Sequence, residues 1–314
     1  MENNQKKIYR AVRYDKFGGT DVLYIKEEIL NAPKAGEVKI NVRAASINPG
    51  ESAIREGKME KMFPSAFPSG QGSDFAGVVA EAGEGVKDFK PGDEVIGFSN
   101  DRNSQADTVI VSRDQLTFKP HSVPWEQAGS LFVVGGTAYA AVRSVTLKKG
   151  DILVLSAAAG GVGSVIVQLA KQIGVRVIGL AGKANHDWLK AQGAIPVEHG
   201  EGAEQGIIAA LDGKKADALI DCFGSGYVEL GIKLGIEPDR INTVIDFEAA
   251  KRFGTKTEGL SSASTAGVLT ELAKMMAAGK LEIPVARTYP LTEVKAAYNE
   301  LEKRHTHGKI VLIP

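Results

Sequence analysis

Between Ile152 and Ile173 the residue types are arranged for holding an anion. Residues 152–155 (Ile-Leu-Val-Leu) form an apolar run without helical period, the pattern of a strand buried on both faces of a parallel sheet. A turn of very small residues follows from Ser156 to Gly161, and from Val162 to Ile173 apolar residues return every three or four positions, as in an amphipathic helix. A diphosphate reaches the backbone N–H groups of a helix N-terminus only if no side chain holds it away, and the helix lies close on its strand only if the facing residue lacks bulk. Ala157, Gly160 and Gly163 occupy the three key positions, with Gly161 and Val162 between the last two and Ala in place of the first glycine of G-x-G-x-x-G. The same glycines would also serve a bare strand-to-helix turn, so the neighbouring elements decide.

Residues 176–180 (Arg-Val-Ile-Gly-Leu) read as a second strand beginning just after Gly174, which completes a βαβ unit. An NAD-specific site carries Asp or Glu roughly twenty residues past the last glycine, on the ribose hydroxyls. Here Ala181, Gly182, Lys183, Ala184, Asn185 and His186 stand at the strand end, and no carboxylate comes before Asp187. Lys183 could pair with a 2′-phosphate, so the expected cofactor is NADPH; a solvated loop lysine is the alternative.

The rest of the chain must position that corner. A length of 314 residues with 43% hydrophobic content can bury a large core and predicts two domains. Positive and negative side chains number 38 each and are interspersed, which gives no basic field for nucleic acid. No apolar run is long enough to span a membrane, and residues 1–7 are polar and expected to fray rather than to form a signal peptide. A single cysteine, Cys222, excludes an internal disulfide and a multi-cysteine zinc site. A cytoplasmic protein is expected.

From Ile8 to about Lys119 the sequence is β-rich and broken by glycines. Strands are predicted at residues 9–14, 23–29, 37–45, 77–82, 94–98 and 107–111, in a separate barrel-like domain. Residues 124–143 read as one or two helices leading into the second domain. Beyond Lys183 the alternation continues with helices at 186–191, 203–211 and 227–234 and strands at 195–197, 216–222 and 240–247, a doubly wound order. A helix at 261–278, a strand at 283–289, a helix at 292–303 capped by Thr292 and a strand at 309–313 complete the chain.

Several segments, in order over nearly the full length, resemble the medium-chain dehydrogenase/reductase family, in its zinc-free quinone oxidoreductase branch. They are Tyr14-Asp-Lys-Phe-Gly-Gly, Ala45-Ser-Ile-Asn-Pro-Gly, Gly72-Ser-Asp-Phe-Ala-Gly-Val-Val, and the run from Gly83 to Val95. Further on come Gly136-Thr-Ala-Tyr, the Ala157 to Gly163 corner, and Gly308-Lys-Ile-Val-Leu. The resemblance implies an α/β fold with an N-terminal GroES-like β-barrel domain (1–123 and 264–314) and a doubly wound Rossmann domain (124–263), the C-terminal tail returning to the first. It also implies a homodimer joined through the sheet edge of the nucleotide domain. Zinc-dependent relatives would place Cys near Asn48 and Gly-His-Glu at Gly72; this chain has Asn48, Ser73 and Asp74, which cannot build the tetrahedral site.

By the same resemblance Asn48 lines the pocket beside the nicotinamide, where its amide could donate to a substrate carbonyl as charge builds there; an Asx-turn with Pro49 is the other possibility. Related enzymes often carry Asp where Glu51 stands. Gly77 and Gly83 are expected at bends. Thr137 resembles a threonine at the nicotinamide end, or is a buried Thr bonded to its own helix. Tyr139 is a proton donor or packs in the core. His199 resembles a tyrosine position near the adenosine phosphate, or is a surface histidine. Cys222, Phe223 and Gly224, with Ile245, follow strand ends that face the ligand crevice of a doubly wound sheet; the thiol itself is expected to be a small buried group. Lys309 either approaches the cofactor or is solvated at a strand edge.

The function expected is NADPH-dependent hydride transfer to a quinone or an α,β-unsaturated carbonyl, a small-molecule electrophile whose own conjugation spreads the incoming charge so that no metal is needed. The alternatives are a zinc-free alcohol or aldehyde dehydrogenase, a 2-enoyl thioester reductase, or a non-catalytic NADPH-binding sensor or structural protein.

Overall fold

In the computed structural model, which describes residues 8–314, the chain enters on β1 (Ile8–Tyr14) and turns back as β2 (Tyr24–Ile29). Residues 1–7, where fraying was expected, lie outside the described residues. There follow β3 (Glu37–Ser46), α1 (Pro49–Arg55), β4 (Ser69–Gly70), β5 (Asp74–Ala82), β6 (Glu94–Phe98), β7 (Thr108–Ser112), β8 (Leu116–Phe118) and α2 (Trp125–Ala128). β3 is the spine of this part: it pairs antiparallel with β5 along one side and with β7 along the other. Its ten residues are mostly buried, and Val38, Ile40, Val42 and Ala45 meet Phe75, Val79, Val95, Val109 and Leu116 in one apolar core. Backbones come close where glycines stand, since a Cβ on Gly77 would lie 2.3 Å from the Asn41 carbonyl oxygen and one on Gly83 1.9 Å from that of Lys34.

α3 (Leu131–Ser144) leads to the alternating part: β9 (Ile152–Leu155), α4 (Gly161–Ile173), β10 (Arg176–Ala181), α5 (His186–Ala191), β11 (Ile195–Glu198), α6 (Ala203–Leu211), β12 (Ala218–Asp221), α7 (Tyr227–Lys233), β13 (Ile241–Thr243) and α8 (Phe247–Phe253). The five strands are parallel in the order β11-β10-β9-β12-β13, so the chain reverses direction across the sheet at β9. All four residues of β9 are buried, as its unbroken apolar run requires. This is the doubly wound, Rossmann-like sheet expected from sequence.

The tail consists of α9 (Ala266–Ala277), β14 (Val285–Pro290), α10 (Val294–Leu301) and β15 (Lys309–Ile313). β15 lies between β14 and β3, which returns the C-terminus to the first sheet. By its contacts the chain forms one unit from residues up to Val133 with Thr265–Ala277 and Val285–Pro314, and a second from Val134–Ser264 with Ala278–Pro284. Residues 124–133, expected with the second domain, thus count with the first. The Ser46 N–H donates to the Gly129 carbonyl at 3.1 Å, and a Cβ on Gly129 would meet the Ala44 carbonyl oxygen at 2.5 Å.

The structure departs from expectation at several places for local reasons. The strand expected over 240–247 stops at Thr243, because Asp246 accepts a hydrogen bond from the Ala249 N–H and starts α8. The helix expected from 261 begins at Ala266, where Thr265 Oγ1 accepts from the Val268 N–H. Thr292 does not cap α10; it sits inside a 3₁₀ turn, Leu291–Glu293, that precedes the helix. Residues 49–55, for which no element was predicted, form α1, with Pro49 at the first helical position. No helix among the described residues is long and apolar enough to cross a membrane.

α4 starts hard against the turn that follows β9: a Cβ on Gly163 would stand 2.2 Å from the Ala157 carbonyl oxygen and 2.8 Å from the Ala158 Cα. Both neighbours are backbone and cannot rotate away. Gly163→Ala should therefore destabilise the fold by about 1–3 kcal/mol, measured as a lowered urea midpoint with unchanged slope; an unaltered midpoint would show that the helix is free to shift.

Candidate functional site

The corner between β9 and α4 presents backbone and little else. Gly160 is the N-cap of α4 and no side chain caps the helix, so the N–H groups of Gly161, Val162 and Gly163, which have no partner within a helix, point out of its end. The first intrahelical bond is from the Ser164 N–H to the Gly160 carbonyl, at 2.9 Å. Ala157, standing where a glycine is usual, has a φ of 46°, in the left-handed region; for an alanine that costs about 1 kcal/mol. Its neighbour Ala158 donates its N–H to the Leu180 carbonyl at 2.9 Å, tying the turn to β10. An uncapped helix end, a glycine cradle that a Cβ would fill and a positive end of the helix dipole fit a diphosphate.

Around this corner the strand ends carry the other predicted residues of the second unit. Gly182 and Lys183 follow β10, and Asn185 ends the short 3₁₀ turn there. Lys183 is 79% exposed, and its Nζ lies 3.3 Å from Glu198 Oε2. His199 is exposed; its Nε2 would be 3.6 Å from a Cβ on Gly182, and its ring centroid is 6.4 Å from that of Phe223. The predicted Cys222, Phe223 and Gly224 follow β12, and Ile245, 44% exposed, follows β13. Burial and the adjacent Asp221 charge push the Cys222 thiol up, which removes it as a nucleophile. Thr137 is buried in α3, while Tyr139 is only half-buried, its hydroxyl accepting from Arg143 Nη1 at 3.2 Å.

One residue that sequence reasoning missed organises these ends. Asp221 is fully buried and accepts from Ser156 Oγ at the end of β9 (2.6 Å), from the N–H groups of Phe223 (2.9 Å) and Gly224 (3.0 Å), and from Thr243 Oγ1 at the end of β13 (2.8 Å). The same hydroxyls pass the order on: Ser156 Oγ accepts from the Cys222 N–H, and Thr243 Oγ1 from the Ile245 and Asp246 N–H groups. Three strand ends and both following loops are thereby fixed by one carboxylate.

In the first unit Asn48 sits in a buried polar cluster rather than at a free edge. Its Nδ2 donates to Glu51 Oε1 (3.1 Å) and to Asp74 Oδ2 (2.8 Å), and its Oδ1 accepts from Lys309 Nζ. Both amide hydrogens are engaged, so the expected donation from Asn48 to a substrate carbonyl has no proton to use. Lys309 is neither solvated nor free: it is 3% exposed and donates to the Ile47 carbonyl at 2.7 Å, with Asp74 Oδ2 at 3.8 Å. Asn48, standing where the zinc-dependent pattern would put a thiolate, and Asp74, two residues after Gly72, are thus tied to an internal ammonium and to each other.

Glu51 is the centre of that cluster. It accepts from the Asn48 N–H and Nδ2, the Ser73 N–H, Gln105 Nε2 and Tyr298 Oη, the last at 2.6 Å across 247 positions of sequence. Five donors and no acceptor describe a carboxylate. Burial pushes its pKa up and the Asp74 charge adds to this, while hydrogen bonds from Tyr298 and Asn48 oppose. Burial and the Glu51 charge raise Tyr298 well above the usual phenol range, so its proton stays on oxygen; burial lowers Lys309 against the pull of Asp74 and Glu51. Beneath Tyr298 lies Arg55, fully buried, its guanidinium 4.8 Å from the ring centroid and its Nε on the Gly18 and Gly19 carbonyls. The Phe-Gly-Gly motif near the start of the chain therefore serves a buried cation. Glu51→Gln, which turns an N–H group toward one set of donors, should cost about 3 kcal/mol, and Tyr298→Phe about 1 kcal/mol, by denaturant unfolding; equal and negligible losses would mean the cluster is not what holds α1 to α10.

Comparison with known proteins bears on both units. Residues 34–146 match the family described as alcohol dehydrogenase GroES-like domain, and residues 197–312 match the one described as zinc-binding dehydrogenase. The chain is 30% identical to the chloroplast envelope quinone oxidoreductase homolog of Arabidopsis thaliana, over 98% of this chain and 99% of that protein. Among solved structures it is similar to the quinone oxidoreductase from Coxiella burnetii (TM-score 0.88, 32% identity, 98% of this chain and 100% of that one). It is also similar to the Escherichia coli quinone oxidoreductase complexed with NADPH (TM-score 0.84, 26% identity, 97% of this chain and 100% of that one). With a glycine corner of the required shape, a GroES-like unit whose buried acids are held by a lysine, and relatives matched from end to end, the chain belongs to the zinc-free quinone oxidoreductase branch of the medium-chain dehydrogenase/reductase family.

Proposed function

We propose that this chain binds NADPH at the β9–α4 corner and reduces a quinone or another α,β-unsaturated carbonyl without a metal. What supports the reading most directly is the corner itself: three N–H groups at an uncapped helix end, over a glycine that no other residue can replace without moving the helix. The names of the relatives, quinone oxidoreductases, and the neighbour solved with NADPH point the same way. When bound, NADPH supplies the hydride. The Gly160 to Gly163 backbone holds the diphosphate, and Lys183, with Gly182, Asn185 and His199, holds the adenosine end and its 2′-phosphate. Phe223, Gly224 and Ile245 face the nicotinamide end, with Thr137 assigned there as well, and Asp221 keeps their loops in place.

The buried acids of the first unit take no part as proton donors, because Glu51 and Asp74 already accept from several donors and are shielded from solvent. The proton that follows the hydride is assigned to solvent or to the Tyr139 hydroxyl. An acceptor that spreads charge over its own conjugated system needs orientation more than acid catalysis. We also propose a cytoplasmic homodimer, joined through a sheet edge of the nucleotide-binding unit; the single cysteine suits a reducing compartment.

A turnover assay decides the reaction. NADPH oxidation by purified protein should be supported by quinones or enones, more than by enoyl thioesters or aldehydes, and Lys183→Ala should weaken NADPH binding about tenfold or more. Light scattering on the same sample should give twice the 33.3 kDa chain mass. Tight NADPH binding with no oxidation across the panel would instead mark a sensing or structural protein, and unchanged affinity in the Lys183 variant would remove the phosphate pairing.

A further inference from the structure

The carboxylate missing from the end of β10 is supplied from the neighbouring strand. β11 pairs in parallel with β10, and the register sets Glu198 opposite Ala181, so Glu198 emerges at the same sheet edge as Lys183, two residues on. Its Oε2 lies 3.3 Å from Lys183 Nζ. The two side chains are 79% and 53% exposed, so water screens the pair and little holds the lysine there. His199, next in sequence, lies beside Gly182. The end of β10, where this fold places a coenzyme's adenosine ribose, is thus flanked by one exposed cation and one exposed anion.

We infer that Glu198 sets the coenzyme preference of this site, opposing the 2′-phosphate of NADPH and accepting the 2′-hydroxyl of NADH. The inference rests on the coenzyme reading given above. A phosphate monoester carries between one and a half and two negative charges near neutral pH, roughly. To meet Lys183 it must draw the ammonium from Glu198 and then sit within a few ångströms of the carboxylate that remains. Each requirement subtracts from what the lysine contributes. A ribose bearing only a hydroxyl meets no such repulsion, and a carboxylate is the usual acceptor for it in sites of this fold. The arrangement gives a site that takes both coenzymes and discriminates between them less than a lysine alone would.

Glu198→Gln keeps the shape and removes the charge. Calorimetric titration of the unmodified protein and this variant with NADPH and with NADH, at low ionic strength, should show NADPH binding tightened about tenfold. NADH binding should fail to tighten, and added salt should shrink the NADPH gain. Unchanged NADPH affinity, or an equal gain for both coenzymes, overturns the role of Glu198 and leaves the coenzyme reading standing. Failure of the unmodified protein to bind either coenzyme overturns the reading on which it rests.

Discussion

The close approach of α4, at Gly163, to the backbone of the turn after β9 is the constraint from which the rest of the second unit follows. A helix whose first turn is set against that backbone with no side chain between them leaves its first N–H groups bare beside the strand end. β9, which leads into that turn, is central in the sheet and apolar throughout. The strained alanine at position 157 shows that the geometry of the turn is imposed by its surroundings, since its own residue type disfavours that φ. Hydrophobic burial of four residues thus anchors a patch of bare backbone.

Each unit also contains a buried acid that converts irregular chain into fixed geometry. Asp221 does so across the ends of β9, β12 and β13; Glu51 does so between α1, the segment leading into β5, and α10. A carboxylate has about four lone-pair sites, so it can gather several donors that would otherwise be buried unpaired. The same low dielectric that strengthens these bonds makes each one costly to lose. Lys309 offsets part of the charge in the first unit, where Asp74 and Glu51 lie close together. These acids position loops; they are too enclosed to exchange protons with a substrate.

Much of this was legible in the sequence where local signals are strong. β9, β6, β15, α5 and α6 follow directly from apolar runs, periodicity and flanking glycines. What could not be read has two physical causes. Where apolar residues continue across a boundary, as in Val244-Ile-Asp-Phe247, the cap formed by Asp246 is hidden inside what looks like strand, and only the hydrogen bond to Ala249 reveals it. The other cause is separation. Tyr298 meets Glu51, and Lys309 meets Asn48 and Ile47, across more than two hundred and forty positions, and no spacing rule connects them. The anion corner was found because all of its parts lie within eight residues. The Glu198 partner of Lys183 was missed because strand register, rather than chain distance, brings it there.

The claim that a diphosphate is gripped by bare backbone at the head of α4 is tested most directly by the amide resonances of that turn. On titration with NADPH, the ¹⁵N–¹H signals of Gly161, Val162 and Gly163 should shift together and saturate, with inorganic pyrophosphate shifting the same three signals at higher concentration. Saturable NADPH binding that leaves these three amides in place would contradict the account, because the coenzyme would then be held elsewhere.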